Sequence, residues 1–433
     1  MRRTILIIAG ALLLALAGAA AAYVAFHGGD PEGSLDTELA GVTVVTPTTE
    51  PPPTTAPVTT APVTTAPAET EPPATTAASE PEEGPCWTEF GGNPQRSLAR
   101  PDIQLGIPKD KPLWVRGMGS YMEYPPSFCD GTLYVNTFEG LTAAIEADTG
   151  RVLWRWQTNG IKPSTPAIAG SKLIVSSTDG TVTALHRETG KVAWQLKLAG
   201  KVESSPVAID GVAYFGATDG RMFAVDVDSG RIEWAYQTGG RINSSPSVWG
   251  NRLCITTYAG SIFCLDRRDG TKLWSTYVDR DAFRAESFYA SASTDGRRLY
   301  TIARSGTIVA LDARDGSIVW TDHVDSLGYS TPALADGRVF IGGFDGGLRA
   351  FDTETGKLLW NRDVNGRILG GAVVVGDLVF VATLETDTYA LRVSDGKVMW
   401  HYPLGKYSPG IATEKRYYLS LNGLLMAFEG KGG

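Results

Sequence analysis

The sequence predicts an all-β protein, an eight-bladed β-propeller that follows an N-terminal apolar segment and a Pro/Thr-rich linker. Three features of residues 86–433 lead to this prediction: a tryptophan that recurs at a fixed interval, a glycine at a fixed distance before it, and turn signals between short apolar stretches. A period near 40 residues is typical of propellers with four-stranded blades. We therefore expect four antiparallel strands in each repeat.

The recurring tryptophan defines the repeat. Successive copies are 40 residues apart, except for one interval of 46 between Trp274 and Trp320. A glycine stands four residues before each copy from Trp154 onward, and a small residue, usually alanine, stands six residues before that glycine. We expect each tryptophan to dock into the gap between neighbouring blades, where the small residue allows a close approach. The eight copies are Trp114, Trp154, Trp194, Trp234, Trp274, Trp320, Trp360 and Trp400.

Turn signals divide each repeat into strands, and the two ends of the chain complement each other. Within residues 163–200, glycines at 170, 180 and 190 separate short apolar stretches, as in hairpin turns. Trp114 lacks the upstream half of the motif, whereas the last half-motif, AFEGKGG, lacks its tryptophan. We predict that the eighth blade combines a strand from the N-terminal side with strands from the C-terminal end, since an open ring leaves an unpaired edge.

The first 85 residues differ in composition from the repeats. Residues 4–26 carry no charge, and at about 1.5 Å per residue they would extend roughly 34 Å as a helix. This length predicts a single transmembrane anchor within residues 1–29, with the propeller outside the cytoplasm because Arg2 and Arg3 precede the apolar stretch. A cleavable signal peptide is the alternative and would make the protein secreted. Residues 30–85, rich in Pro and Thr, predict a disordered linker.

Charge and residue spacing exclude several functions. The formal net charge is −8, and the ten acids and two arginines of residues 1–85 account for all of it. The repeats are neutral overall, which argues against nucleic-acid binding by bulk charge. The four histidines and four cysteines are scattered, and their spacing matches no zinc or c-type haem motif.

The repeat also resembles a known family. The segment from Ala224 through Gly230 to Trp234 follows the pattern A-x-D-x-x-[TSD]-G-x-x-x-W. This pattern resembles the tryptophan-docking motif of pyrroloquinoline-quinone-like propellers, and residues 86–96, CWTEFGGNPQR, are similar to the W-x-x-F-x-G-N-x-x-R opening of bacterial members. That family includes quinoprotein dehydrogenases and the non-enzymatic propeller of outer-membrane β-barrel assembly. The resemblance implies the fold, whereas function depends on the site.

The same resemblance bears on catalysis. Enzymatic members hold the quinone in the central funnel with calcium, a catalytic aspartate and a disulfide between adjacent cysteines. This chain has no adjacent cysteine pair, and positions expected at its axis carry small residues such as Ser164-Thr165-Pro166. We therefore predict no catalytic residue, cofactor or metal, and a protein-binding scaffold of the cell envelope. The alternatives are a quinone-dependent dehydrogenase and a sensor or binder of cell-wall polymers.

Cations in the loops predict a binding rim at the channel mouth. Several loops that enter inner strands carry a lysine or arginine, and the six-residue insertion before the fifth blade adds cations and two phenylalanines. Such a rim would suit an acidic polymer or acidic partner peptide, with the phenylalanines as anchors. The alternative is that these loops are polar only because they are exposed. The rim comprises Lys162, Lys201, Arg241, Arg280, Phe283, Arg284, Phe288, Arg367 and Lys406.

The cysteines suggest two pairs. Cys254 and Cys264 flank one hairpin turn and should face each other, either as a disulfide or as two buried thiols. Cys86 and Cys129 would tie the segment after the linker to the first blade.

Overall fold

Short apolar stretches separated by glycine-containing turns form the blades. The computed structural model describes residues 43–45, 86–281 and 284–431, all within one compact unit, Val42–Gly433. Eight antiparallel sheets, each with four core strands, form the eight blades. This confirms the predicted all-β, eight-bladed propeller. The described residues contain no helix, and thus none long and apolar enough to cross a membrane.

Blades one to four follow in chain order. From the axis outward, their strands are Ser127–Cys129, Thr132–Asn136, Leu141–Glu146 and Val152–Gln157; Ala167–Ala169, Lys172–Ser176, Thr181–His186 and Val192–Lys197; Val207–Ile209, Val212–Gly216, Arg221–Asp226 and Ile232–Gln237; and Ser247–Trp249, Arg252–Thr256, Ser261–Asp266 and Lys272–Tyr277.

Blades five to eight repeat the pattern, and the last blade is closed by the N-terminal side of the chain. Their strands are Ser293–Thr294, Arg298–Ile302, Thr307–Asp312 and Ile318–His323; Ala333–Ala335, Arg338–Gly342, Gly347–Asp352 and Leu358–Asp363; Val373–Val375, Leu378–Ala382, Thr388–Arg392 and Val398–Tyr402; and Ile411–Ala412, Arg416–Leu421, Leu424–Glu429 and Trp114–Gly117. Trp114 pairs with Ala427 in an antiparallel register, as the two half-motifs predicted.

The core lies between neighbouring blades. In the first blade, every residue of Thr132–Asn136 after the first is buried, since both faces of the strand contact other side chains. The outer strand Val152–Gln157 instead alternates exposed and partly buried residues. Each blade therefore contributes its middle strands to the core and leaves its outer edge half solvated.

Three further short pairings occur, of which two extend blade sheets and one forms a separate hairpin. Thr43–Val45 lies antiparallel to the outer strand Val192–Lys197, and Ala99–Arg100 runs parallel to the inner strand Val373–Val375. The insertion before blade five forms the small hairpin of Asp279–Asp281 and Arg284–Ala285. The predicted anchor (1–29), the rest of the predicted linker (30–85) and Phe283 lie outside the described residues.

The docking tryptophans make a recurring contact. Seven indole N–H groups, those of Trp114 to Trp360, donate to a backbone carbonyl of the next blade at 2.8–3.3 Å, as Trp154 does to Arg187. The motif glycine of the next blade lies beneath the ring: Gly190 has a φ of 67°, and an added Cβ would lie 2.5 Å from the indole of Trp154. Close approach and positive φ together explain why glycine recurs at this position.

Two disulfides join the cysteine pairs. Cys254 lies directly opposite Cys264 in the ladder and is bonded to it, with the Cα atoms 4.2 Å apart. Cys86 is bonded to Cys129, which attaches the segment before the first blade to its innermost strand.

Candidate binding funnel

The segment that precedes the first blade closes one end of the central channel. We call residues 86–100 the plug. Backbone N–H groups of the inner strands donate to its carbonyls: Ile168 to Thr88 (2.7 Å), Val248 to Pro94 (2.7 Å), Thr294 to Gln95 (3.1 Å), Leu334 to Ser97 (2.8 Å) and Val374 to Leu98 (2.8 Å). The opening motif of this segment therefore has a structural role, which is to seal the channel.

Arg96 holds the plug in place from the axis. Its side chain is fully buried and donates to the carbonyls of Pro246 (2.8 Å), Ser205 (2.8 Å) and Phe90. Burial lowers the pKa of this guanidinium to about 10, against the opposing effect of nearby Glu89. The plug is thus bonded to blades three and four through one side chain.

The small hydroxyl residues at the axis link successive blades. The backbone N–H of Thr165 donates to the Oγ of Ser205 (3.1 Å), and that of Ser205 donates to Ser245 (2.9 Å). The series continues from Ser245 to Ser291 (2.8 Å) and from Ser291 to Thr331 (3.2 Å). These hydroxyls satisfy backbone donors across the blade boundaries, so their first role is to hold the ring together.

The opposite face of the ring carries the loops that the rim prediction concerns. We call it the funnel face. It consists of the loops between blades and the turns between the second and third strands, which are adjacent because the turn N–H donates to the loop carbonyl, as Tyr258 does to Arg241 (3.0 Å). The turns that join the third and fourth strands lie on the plug side. In one of these turns, the backbone N–H of Val393 donates to the carbonyl of Asp377.

A cavity of about 60 Å³ lies between the funnel face and the plug. Plug residues form the floor of the cavity. Its walls are formed by the residues that stand, in successive repeats, immediately before the small residues at the axis. The acidic, amide and aromatic members of the lining include Glu89, Phe90, Glu123, Tyr124, Asn243, Tyr289, Tyr329 and Tyr407.

Two acids in this lining have perturbed ionisation. Glu89 is 2% exposed, and neither carboxyl oxygen accepts a well-aligned hydrogen bond, although the Thr88 hydroxyl lies close enough to lower its pKa. Burial raises the pKa of Glu89 to about 7, although the charge of Arg96 opposes the shift. Burial also raises the pKa of Glu123 to about 7, with a further contribution from the negative charge of Glu203. Both carboxyls therefore titrate near neutral pH.

A third acid lies nearby and is partnered. Glu203 is buried and accepts a hydrogen bond from the amide of Asn243, and Arg241 lies 3.7 Å from its other oxygen. The amide oxygen of Asn243 is buried without a partner. The site thus holds buried acceptor atoms of Glu89 and Asn243 beside tyrosine hydroxyls that line the same cavity.

The predicted rim residues fall into three groups. Arg241, Arg367 and Lys406 lie on the funnel face, each over an aromatic ring, at 5.6 Å from Tyr258, 5.2 Å from Phe344 and 5.3 Å from Tyr407, respectively. Lys201 is exposed there as well. Arg280 and Arg284 belong to the small inserted hairpin, and their side chains lie outside the described residues, as does Phe283.

Two predicted rim residues are buried instead of exposed. Phe288 is 0% exposed and packs in the core beside Ile262 and Trp274, which corrects its expected role as a surface anchor. Lys162 is 2% exposed because its ammonium lies 4.3 Å from the ring centre of Trp156 and donates to the carbonyl of Gly140. Burial lowers the pKa of Lys162 to about 7. Neither side chain is available to a partner on the surface.

The aromatic half of the rim escaped the sequence reasoning. Tyr258 and Phe344 occupy the same repeat position, two residues before the turn glycine, and Arg304 occupies it in blade five. The Arg304 guanidinium lies 5.8 Å from the ring centre of Tyr258 and 5.6 Å from that of Tyr329. Alignment of all repeats at the second turn, rather than at the inner strands alone, would have found this group.

Comparison with known proteins identifies the family. A family model described as "Outer membrane protein assembly factor BamB" matches residues 104–280 and 259–416. The chain belongs to this family. No curated protein shows a significant sequence match to it.

Solved structures similar to this BamB-family propeller include a BamB protein and dehydrogenases. BamB from Moraxella catarrhalis has a TM-score of 0.64 at 17% identity, with 74% of this chain and 99% of that chain covered. Quinohemoprotein alcohol dehydrogenase from Comamonas testosteroni has a TM-score of 0.68 at 14% identity, with 81% of each chain covered. A europium-containing methanol dehydrogenase has a TM-score of 0.70 at 13% identity, covering 80% of this chain and 98% of that one. At such identities the likeness shows the fold alone.

The funnel of this BamB-family propeller does not fit a quinone held with calcium. Within the described ranges, the one group of three His, Cys, Asp or Glu ligand atoms within 4.8 Å is Cys86, Cys129 and Asp130, and its two sulfurs are bonded to each other. Calcium takes six to eight oxygen ligands, and the lining offers few carboxylates among aromatic and aliphatic groups.

Proposed function

We propose that this protein is a non-catalytic scaffold of the cell envelope that binds an acidic segment of a partner protein on its funnel face. The observation that carries the proposal is the clustering there of aromatic rings with arginines: Tyr258, Tyr329 and Phe344 with Arg241, Arg304 and Arg367. Tyrosine and arginine are the residue types that most often dominate protein interfaces. Family membership supports a binding role, since the matching model describes an assembly factor.

The charges of the rim are suited to exchange of partners. Arg367 pairs with Glu385 at 2.6 Å, and both side chains are at least 40% exposed. An exposed ion pair contributes about 1 kcal/mol or less, so a partner carboxylate can replace Glu385 at low cost. The aromatic rings would then supply apolar contact area beneath the new ion pair.

The proposal is tested by cross-linking the full-length chain in the membranes of cells that produce it. Arg367→Ala combined with Phe344→Ala should remove the cross-linked partner, whereas Lys397→Ala, an exposed change on the plug side, should leave it in place. Cross-links that persist in the double variant, or that map equally to both faces, would refute binding at the funnel face.

The dehydrogenase alternative is tested by thermal unfolding with pyrroloquinoline quinone and calcium. A ligand present at 100 times its Kd stabilises a protein by about 2.7 kcal/mol. We expect no shift of the melting temperature, and a calcium-dependent shift would favour the enzymatic alternative.

The proposal includes attachment to a membrane by residues 4–26, with the propeller outside the cytoplasm. The full chain should resist alkaline extraction from membranes, and a chain lacking residues 4–26 should be extracted. Release of the full chain by alkali would contradict the anchor.

A further inference from the structure

Besides the rim, the cavity at the base of the funnel has a chemistry of its own. Its residues include two acids, Glu89 and Glu123, and no lysine, arginine or histidine. The lining is otherwise aromatic, aliphatic or hydroxyl-bearing. A ligand that enters must therefore offer positive charge or hydrogen-bond donors.

Three acceptor atoms in the cavity lack a well-aligned donor within the described part of the chain. They are both carboxyl oxygens of Glu89 and the amide oxygen of Asn243, although the hydroxyl of Thr88 lies close enough to Glu89 to lower its pKa. A buried acceptor left unpaired costs about 1–3 kcal/mol, and more when it is charged. The nearest guanidinium, that of Arg96, partly offsets the charge of Glu89 but donates its hydrogen bonds to the carbonyls of Phe90, Ser205 and Pro246.

The walls select the kind of cation. Trp87, Phe90, Tyr124, Tyr329 and Tyr407 present aromatic surface around the two acids. Aromatic rings attract organic cations through the negative charge of their faces, most strongly where water is excluded. Calcium would instead need six to eight oxygen ligands in close array, and zinc four convergent ligands; among the described residues the lining provides neither.

The size of the cavity restricts the ligand to a headgroup. About 60 Å³ is open to a water-sized molecule, which is room for a few water molecules or for one ammonium or guanidinium group with its first methylene. The plug closes the far side, so the rest of the ligand must extend toward the funnel face.

We propose that this cavity binds one organic cation, a primary ammonium or guanidinium group, with Glu89 as its principal acceptor. The inference goes beyond the proposed function and stands without it, since Glu89 lies at the plug and not on the rim. The cation is the head of a free amine or the side chain of a lysine or arginine in a partner segment.

The first experiment is a calorimetric titration of the full-length chain with cadaverine and with agmatine. Pentane-1,5-diol serves as the neutral isostere of cadaverine, and calcium chloride tests the metal alternative. We expect one amine or guanidine to bind per chain, no binding of the diol, and no competition from calcium. Binding of the diol as tightly as cadaverine, or displacement of the amine by stoichiometric calcium, would overturn the assignment.

The second experiment distinguishes the source of the cation. The peptide Asp-Glu-Arg-Glu-Asp is compared with the same peptide carrying citrulline, which keeps the shape of the arginine and removes its charge. Binding of the free amines alone indicates a small-molecule ligand, whereas preference for the arginine peptide indicates a partner segment. Failure of the amines and of the peptide to bind at millimolar concentration would refute the proposal.

Variants assign the binding to the cavity. Glu89→Gln should weaken binding roughly tenfold or more, because a charged hydrogen bond is lost. Glu139→Gln, the same change on an exposed turn of the funnel face, should have no effect. Glu123→Gln is a second cavity variant in case the first does not fold, as judged by its melting temperature. Wild-type affinity in both cavity variants would place the cation elsewhere and overturn the proposal.

Discussion

The pH dependence of stability should report the unpartnered carboxyl of Glu89 directly. Burial raises its pKa to about 7 from the ordinary value of 4.5, against the charge of Arg96. The folded protein therefore holds a proton between pH 4.5 and 7 that the unfolded chain has released. This carboxyl contributes stability that is fully present below pH 4.5 and is lost as the pH rises through 7.

The magnitude follows from the difference between the two pKa values. Each unit corresponds to about 1.4 kcal/mol, so Glu89 should lower the free energy of unfolding by about 3 kcal/mol between pH 4.5 and pH 8. For a folded domain of this size that is a melting-temperature change of about 4 °C. Glu89→Gln removes the titration and should flatten the pH profile by this amount. Glu123, whose pKa is also raised to about 7, is present in both proteins and cancels in the comparison.

The assay is thermal unfolding of the full-length chain, followed by tryptophan fluorescence at pH values from 4.5 to 8. Glu139→Gln is the matched control, since its side chain is exposed. Parallel profiles for wild type and Glu89→Gln would show that the carboxyl is not penalised by burial, and the reasoning about an unpartnered acid would then fail.

Three further predictions concern the fold. Gly190→Ala should lower the free energy of unfolding by at least about 2 kcal/mol, because the added Cβ would lie 2.5 Å from the docked indole and the φ of this residue is 67°. Gly170→Ala is the control, since Gly170 also has a positive φ but faces open space, and it should cost about half as much. Equal melting temperatures of the two variants would contradict the docking explanation. Arg96→Met should cost about 3–5 kcal/mol, because it leaves buried carbonyls without donors and removes the positive charge that offsets Glu89. An unchanged melting temperature would exclude a role of Arg96 in holding the plug. The double variant Cys86→Ser, Cys129→Ser should lose about 3 kcal/mol of unfolding free energy, because the crosslink is removed. Urea unfolding measures this loss. An unchanged free energy of unfolding would mean that the plug is held by its hydrogen bonds alone.

Much of the fold was predictable because each repeat contacts its neighbours in the same way. The spacing from Trp154 to Gly190 encodes one blade boundary, and repetition of that spacing gives the number of blades. The separated half-motifs at Trp114 and at the end of the chain predicted the composite blade. Pairing the strand of Trp114 with the C-terminal strand completes the motif and also removes the unpaired sheet edge. The strand-pairing register across Cys254 and Cys264 is likewise local, because one hairpin turn sets it.

The funnel was predictable only in part. The loops that carry cations lie on the predicted face of the ring, where Arg241 and Arg367 each lie over an aromatic ring. Phe288 and Lys162 both stand two residues before the small axial residues of their blades. The same repeat position is buried at Val202, Ile242 and Ile368, so alignment of the repeats at this position would have predicted their burial.

The sequence by itself determined the propeller, its blade number and its closure, all of which depend on contacts at a separation of one repeat. Tertiary structure alone decided the course of the plug, which occurs once and has no counterpart to align with. Its contacts join residues 325 positions apart at Trp87 and Ala412, and 109 apart at Arg96 and Ser205. Such contacts exist only after the ring has closed around the axis, and with them come the burial of Glu89 and the cavity above it.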